Sequence, residues 1–363
     1  MSNGIRKSFA SSRECYHGGR FREAATSGSA PLDFSANINP SGSPSLEGII
    51  SKELERIGYY PDNRYPEFRR AAAKFVGVSP ENIVPGNGSS EIIRLFAEMT
   101  LEEGDHALIP NPTFGEYENQ SLLSGARIQR VNTGPDGLPI IMDCDLSQSK
   151  AIFICNPNNP TGALLSRETV ETLAVRCEEH ETFLLVDEAF IELSDPRQSI
   201  ADLAPEMEHL FVMRSLTKSF GVPGLRLGFA VANPRLAEIM DRARIPWSIS
   251  SLAAAAGAYL LSNADYLEGS RDLIRKELRW LNAALSGLGL NPLPSRANFI
   301  LVNIEPSGLG SDELAAAMAK KGVLVRDCQS FGLGKGYIRV AVRGREENEQ
   351  LIAALEKVTE CAD

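Results

Sequence analysis

Short apolar runs alternate along most of the chain with longer stretches in which apolar residues recur every three or four positions. The runs at residues 82–85, 107–109, 151–155, 182–186, 210–214 and 227–232 read as strands. Between them, residues 91–99 place Ile92, Ile93, Leu95, Phe96 and Met99 at helical spacing, and residues 166–179 are similarly periodic. Strands and helices in this order build a mostly parallel sheet covered by helices, so an α/β fold is expected. After about residue 265 the pattern becomes a long charged helix over 265–285, a strand over 298–303, a helix over 311–320, strands over 323–326 and 337–342, and a closing helix. That order suggests a smaller α+β unit. The amino-terminal segment is rich in Gly, Ser and Pro, with Asn39-Pro40-Ser41-Gly42 and Ser43-Pro44 as turn signals, and must lean on the rest of the chain. We expect a large domain over residues 55–264, and a smaller one in which residues 1–54 join residues 265–363.

Composition narrows the function classes. The 363 residues are 43% hydrophobic and 23% charged, ordinary globular usage with room for two domains. The 37 Lys and Arg stand against 47 Asp and Glu, a net charge of −10. That balance argues against a nucleic-acid binder or a polybasic membrane-surface protein, but leaves room for a small anionic substrate in a local basic pocket. The six cysteines form no C-x-x-C pair and no zinc-like spacing with histidine, so a reduced chain without a structural metal is expected. Residues 1–30 have no apolar core like that of a signal peptide, and no apolar run is long enough to span a bilayer. A soluble, cytoplasmic protein is the expectation.

Four motifs fall directly after predicted strands. Asp187 closes the run Thr182-Phe183-Leu184-Leu185-Val186, at the carboxyl end where open α/β sheets bind ligands; a helix cap is the alternative. Gly86-Asn87-Gly88-Ser89-Ser90 joins a strand to a helix whose first turn has free N–H groups, a cradle suited to phosphate. It is neither a Walker loop nor a G-x-G-x-x-G fingerprint. Asn156-Pro157-Asn158-Asn159-Pro160-Thr161-Gly162 is a dense turn that a tight strand-to-helix connection would also use. Lys218 lies in Ser215-Leu216-Thr217-Lys218-Ser219, with Arg226 eight residues beyond, where a solvated loop lysine is the plain alternative.

Taken together, NPNNPTG from Asn156, VDEAF from Val186 and SLTKSFGVPGLRLGF from Ser215 resemble the fold-type I pyridoxal-phosphate enzymes over nearly the whole chain. The resemblance implies a large domain with a mostly parallel central sheet plus a smaller α+β domain. It also implies pyridoxal 5'-phosphate as cofactor and a homodimer with shared sites. Lys218 would bond the cofactor aldehyde and then move protons, because only a primary amine gives a Schiff base that a substrate amine can displace. Asp187 would keep the pyridine nitrogen protonated, and Asn159 would donate to the phenolic oxygen. Ser89, Ser90, Ser215, Thr217 and Arg226 match phosphate-holding positions, Phe114 matches the aromatic that stacks on the ring, and Tyr60 matches a tyrosine that reaches the neighbouring subunit's cofactor phosphate. Phe190 stands where many relatives carry Tyr, so one phenol contact is missing.

Arg339 matches the arginine that grips the substrate α-carboxylate, and Arg326 matches a second arginine that binds phosphate in members such as histidinol-phosphate aminotransferase. His17-Gly18-Gly19, the segment from Asp33 to Pro40, and Ile245-Pro246-Trp247-Ser248 are similar to the L-threonine-phosphate decarboxylases of cobalamin biosynthesis. That similarity implies that His17 contacts the substrate phosphate and that Asn37 lies near its carboxylate. Arg20 departs from the Asn that often follows His-Gly-Gly there. Decarboxylation and transamination differ only in which bond of the substrate stands perpendicular to the cofactor ring. Residue spacing does not decide between them, and the family resemblance alone implies the decarboxylase.

Overall fold

The computed structural model describes residues 4–10, 15, 18, 31–133 and 143–360. A first short strand, β1 (Leu32–Asp33), precedes the larger sheet, which contains β2 (Ile83–Gly86), β3 (His106–Asn111), β4 (Arg127–Asn132), β5 (Ala151–Cys155), β6 (Phe183–Asp187), β7 (Leu210–Ser215) and β8 (Gly228–Val231). Its strand order is β2-β8-β7-β6-β5-β3-β4. The run β4-β3-β5-β6-β7 is parallel, and β8 is antiparallel to both of its neighbours, β7 and β2. Because β8 is reversed, its amino end lies beside the carboxyl ends of β7 and β2, with Gly228 opposite both Ser215 and Gly86.

The central strands are continuous Val, Ile, Leu and Phe because both faces are covered. Alternation splits them into two packing layers. Phe153, Leu185 and Phe211 share one row and face the helix Ser89–Thr100, whose Phe96 meets Phe153 and Phe211 edge-on at 5.1 and 5.3 Å. Ile154, Val186 and Val212 share the next row and pack in a core with the helices Pro66–Val76, Ser251–Ser262 and Leu267–Gly287.

The later part of the chain forms β9 (Asn291–Pro292), β10 (Phe299–Asn303), β11 (Val323–Leu324), β12 (Arg326–Asp327) and β13 (Tyr337–Ala341). Four of these make an antiparallel sheet in the order β12-β13-β10-β9, while β11 pairs in parallel with β1. The amino-terminal segment is fastened further on. Asn39 N donates to the Lys218 carbonyl at 3.0 Å, and Asn39 Nδ2 donates to the Ser219 carbonyl at 2.9 Å and to Ser270 Oγ at 3.0 Å. No described helix is long and apolar enough to cross a membrane.

Differences from the sequence pattern have physical causes. β4 was not expected because Arg127-Ile128-Gln129-Arg130-Val131-Asn132 is a polar edge strand with only two apolar residues, as edge strands commonly are. The single strand expected over 323–326 is two short pieces in different sheets, with Val325 between them. The helix expected over 166–179 runs Arg167–Glu179, because the Ser166 side chain caps it by accepting from Thr169 N at 3.2 Å.

Phe96 joins the first packing layer to the helix that starts at Ser89. Phe96→Ala should lower unfolding stability by about 3–5 kcal/mol, the usual cost of deleting a buried aromatic ring. Urea unfolding of the cofactor-free protein measures it, and a loss under about 1 kcal/mol would contradict this packing account.

Candidate active site

At the carboxyl edge of the larger sheet, β2 ends at Gly86 and the helix Ser89–Thr100 begins with its unsatisfied N–H groups. Gly88 has φ +72°, the left-handed region that favours glycine, and a Cβ built there would stand 2.5 Å from Arg226 Nη2 and push that guanidinium aside. Glu91 Oε2 fixes the turn by accepting from Asn87 N at 2.6 Å and from Ser248 Oγ at 3.1 Å. Ser215 closes β7, Thr217 follows it, and Arg226 reaches Thr217 Oγ1 at 3.4 Å. Ser89, Ser90, Ser215, Thr217 and Arg226 therefore meet at one wall of a cavity of about 790 Å³. This wall offers main-chain donors, hydroxyls and a guanidinium, the donor set of a phosphate site.

Asp187 lies in the same cavity at the end of β6 and is buried. No helix follows that it could cap: its Oδ1 accepts from Ala189 N at 2.9 Å, and its Oδ2 accepts from Tyr117 Oη at 2.6 Å. Burial pushes the Asp187 carboxyl up to about 6, against the opposing hydrogen bonds from Tyr117 and Ala189. A cationic ring nitrogen at this carboxylate would restore the charged form. Tyr117 was not among the residues singled out from the sequence. It is fully buried, stacks on Phe153 at 5.4 Å and meets Phe114 edge-on at 5.6 Å. Its only local signal is the three-residue spacing from Phe114.

Lys218 sits in the short helical turn Leu216–Ser219 and lines the cavity. Loss of water around the ammonium, then Arg339 and Arg226, lower its pKa to about 8, against Asp187 and Asp33. In the turn after β5, Asn158 binds the loop that carries Phe114: its Nδ2 donates to the Pro112 carbonyl at 3.0 Å, and its Oδ1 accepts from Thr113 Oγ1 at 2.8 Å. Next to it, Asn159 Oδ1 accepts from Arg339 Nη1, so its amide N–H groups are the ones available to a ligand.

The opposite wall comes from the smaller sheet and the amino-terminal segment. Arg326 on β12 and Arg339 on β13 are register partners, 3% and 5% exposed. Like charges directly opposed across two strands repel. Arg326 donates to Ser330 Oγ at 2.8 Å and lies over the Phe331 ring at 5.3 Å. Arg339 has neutral acceptors, Asn159 Oδ1 and the Ser35 carbonyl at 2.8 Å, while its buried Nε has no hydrogen-bond partner among the described residues. Burial and Arg326 lower its pKa to about 10 in spite of Cys328 and Asp33. Asn37 Oδ1, buried in the same wall, also has no hydrogen-bond partner among the described residues. Phe190 lines the cavity and packs edge-on to Phe299 at 5.1 Å.

Of the residues expected from the sequence, Tyr60 lies elsewhere. It is 80% exposed, its ring 4.7 Å from that of Trp247, and it does not line this cavity. His17 and Arg20 fall outside the described residues.

Known proteins share this chain's sequence and fold. Residues 31–355 match the family Aminotransferase class I and II. The threonine-phosphate decarboxylase of Salmonella typhimurium is 36% identical over 354 residues, 94% of this chain and 96% of the relative. Histidinol-phosphate aminotransferase 2 of Archaeoglobus fulgidus is 34% identical over 334 residues, 90% of this chain and 93% of the relative. The crystal structure of histidinol-phosphate aminotransferase from Sinorhizobium meliloti, in complex with pyridoxal-5'-phosphate, has the same fold, with a TM-score of 0.86 at 22% identity over 99% of each chain. On the extent of these matches, the chain belongs to the class I and II aminotransferase family.

Proposed function

We propose that this protein uses pyridoxal 5'-phosphate to decarboxylate L-threonine O-3-phosphate, giving (R)-1-amino-2-propanol O-2-phosphate and CO₂ for cobalamin biosynthesis. The observation that carries the reading is the opposed, buried pair Arg326 and Arg339, facing the same cavity as Lys218 and Asp187. Two cations there suit a substrate with both a carboxylate and a phosphate. The Salmonella relative supports the same substrate.

The residues present fit the cofactor: Ser89, Ser90, Ser215, Thr217 and Arg226 for its phosphate, Asp187 for the ring nitrogen, the Asn159 amide for the phenolic oxygen and Phe114 for the ring face. Bound through Lys218, the cofactor supplies an electron sink for the bond that breaks at the substrate α-carbon. Asp187 holds a proton at the ring nitrogen. Lys218, with its pKa lowered to about 8, presents a larger neutral fraction at pH 7 than an ordinary lysine, and only the neutral amine bonds an aldehyde. With the substrate in the cavity, the Lys218 amine would be available there to take and return a proton at the α-carbon. Arg339 grips the carboxylate with its planar fork and Arg326 takes the phosphate. Together they set which α-carbon bond is presented for cleavage.

The working unit is a homodimer in this reading. Tyr60 and Trp247 are exposed, as are Ile57, Tyr59 and Ile245, an apolar surface suited to a second copy. There Tyr60 reaches the partner's cofactor phosphate. The protein works in the cytoplasm on a small phosphorylated amino acid.

Incubation with L-threonine phosphate tests the reaction. CO₂ with aminopropanol phosphate is the expected result, whereas keto acid formed as 2-oxoglutarate is consumed would replace the reading with a histidinol-phosphate type of aminotransferase, which the Archaeoglobus relative favours. Arg326→Ala should raise KM for threonine phosphate by about 10- to 150-fold, the worth of a hydrogen bond to a charged group, and affect unphosphorylated threonine much less. Equal losses on both substrates would remove Arg326 from phosphate recognition. Arg339→Lys should cost both substrates alike in kcat/KM, since an ammonium cannot reproduce the bidentate fork.

Lys218 also makes stability depend on pH. Its folded pKa of about 8 lies below the ordinary 10.5, so charging it penalises the folded state fully below pH 8, and the penalty fades as pH rises to 10.5. Cofactor-free Lys218→Met should therefore melt about 1–3 °C above wild type at pH 7, roughly 1–2 kcal/mol at the usual unfolding entropy per residue in a chain of this size. The gap should narrow by pH 10.5, and a gap that does not change with pH would show that Lys218 is not penalised.

A further inference from the structure

Asp187 and Ser215 lie on the face of the larger sheet that carries Met213 and Phe211, while Arg214 points the other way. Behind the sheet lies a second set of buried charges that the proposed chemistry does not use. Glu188, Glu192 and Arg214 are 0%, 3% and 5% exposed. Arg214 Nε stands 2.9 Å from Glu188 Oε2, and Arg214 Nη1 donates to Glu192 Oε1. Ser199 Oγ accepts from Arg214 Nη2 at 2.7 Å and donates to Glu188 Oε2 at 2.8 Å, and Ile200 N donates to Glu188 Oε1 at 3.0 Å. Ser219 Oγ donates to Glu192 Oε2 at 3.1 Å.

Stability alone is a poor reason for such a group. Burial raises the Glu188 pKa and so opposes its charged form, and apolar side chains of similar volume commonly serve stability as well as a buried ion pair or better. Position supplies the reason. Glu188 follows Asp187, Arg214 precedes Ser215, and Ser219 follows Lys218, so each arm ends one peptide unit from a group in the cavity. Glu188, Arg214, Glu192 and Ser219 do not themselves line that cavity.

We propose that the Glu188–Arg214–Glu192 triad, with Ser219, is a positioning device that holds Asp187, Ser215 and Lys218 in fixed relation from behind the sheet. The inference rests on the reading of those three residues as cofactor-binding groups. Rigid charge-assisted hydrogen bonds suit the task, because small displacements of reacting groups cost much in rate. Ser219 is the arm that ends beside Lys218, so removing its hydroxyl cuts that arm while leaving Arg214 paired with both glutamates.

The test begins with the wild-type holoenzyme, whose visible absorbance band should be bleached by borohydride with the label on Lys218. Absence of that band in wild type overturns the cofactor reading itself, whereas the behaviour of the variants bears on the triad alone. Ser219→Ala should fold as wild type does, lower kcat by about 10-fold with substrate KM within about two-fold, and move the pH midpoint of the visible band. It should also weaken binding of pyridoxal phosphate to the cofactor-free protein. Glu192→Gln, which keeps a hydrogen-bond acceptor, should act in the same direction. The double variant should lose no more kcat than the worse single one, as for two ends of one contact. If Ser219→Ala lowers the melting temperature alone and leaves kcat, the band's pH midpoint and cofactor affinity at wild-type values, the triad is structural and the proposal is overturned. Multiplying losses in the double variant overturn it as well.

Discussion

Gathering cations around one partly buried cavity costs free energy before any ligand arrives. Arg339 and Arg226 repel the Lys218 ammonium, with Asp187 and Asp33 opposing that repulsion. The free N–H groups at the start of the helix Ser89–Thr100 add to the positive potential. An anionic ligand relieves what the protein alone cannot, so stability is traded locally for affinity, a recurrent property of functional sites. The cations of the cavity stand against a net charge of −10 for the whole chain, so the positive potential is local to this edge of the sheet.

The strand ends make this concentration of charge possible. Parallel β6 and β7 deliver Asp187 and Ser215 at one edge, and the reversal of β8 brings Arg226 to the same edge from the opposite chain direction. Alternation along each strand then gives neighbours in sequence opposite surroundings: Asp187 faces the cavity layer while Arg214, one residue before Ser215, reaches Glu188 and Glu192. The sheet is thus both a floor for the cavity and a wall between two polar systems.

What could be read without the structure was local. Asp187, Lys218 and the Gly86–Ser90 turn are each ambiguous alone, and it was their order after successive strands, with the motifs they share with a known family, that made them legible. Arg326 and Arg339 were singled out individually, but their pairing across β12 and β13 depends on register, which short strands do not encode by themselves. Tyr117 was missed because its partner, Asp187, lies 70 residues away, and a tyrosine on a helix reads as ordinary core. Glu192 and Arg214, separated by 22 residues, escaped for the same reason. β4 escaped because an edge strand made of arginine, glutamine and asparagine has no apolar run to detect.

The pairing of β1 with β11 joins Leu32 to Val323 and Asp33 to Leu324, from nearly opposite ends of the chain. At about 5–20 residues per second, a ribosome needs roughly 15–60 s to make the stretch between them. During synthesis the segment made first has no strand to pair with, while everything around the Gly86–Ser90 turn, Asp187, Lys218 and Arg226 is already available to fold. β11, to which residues 32–33 attach, and Arg339, to which the Ser35 carbonyl attaches, emerge later. The pairing of residues 32–33 therefore forms only after the strand ends that carry Asp187, Ser215 and Arg226 have been made.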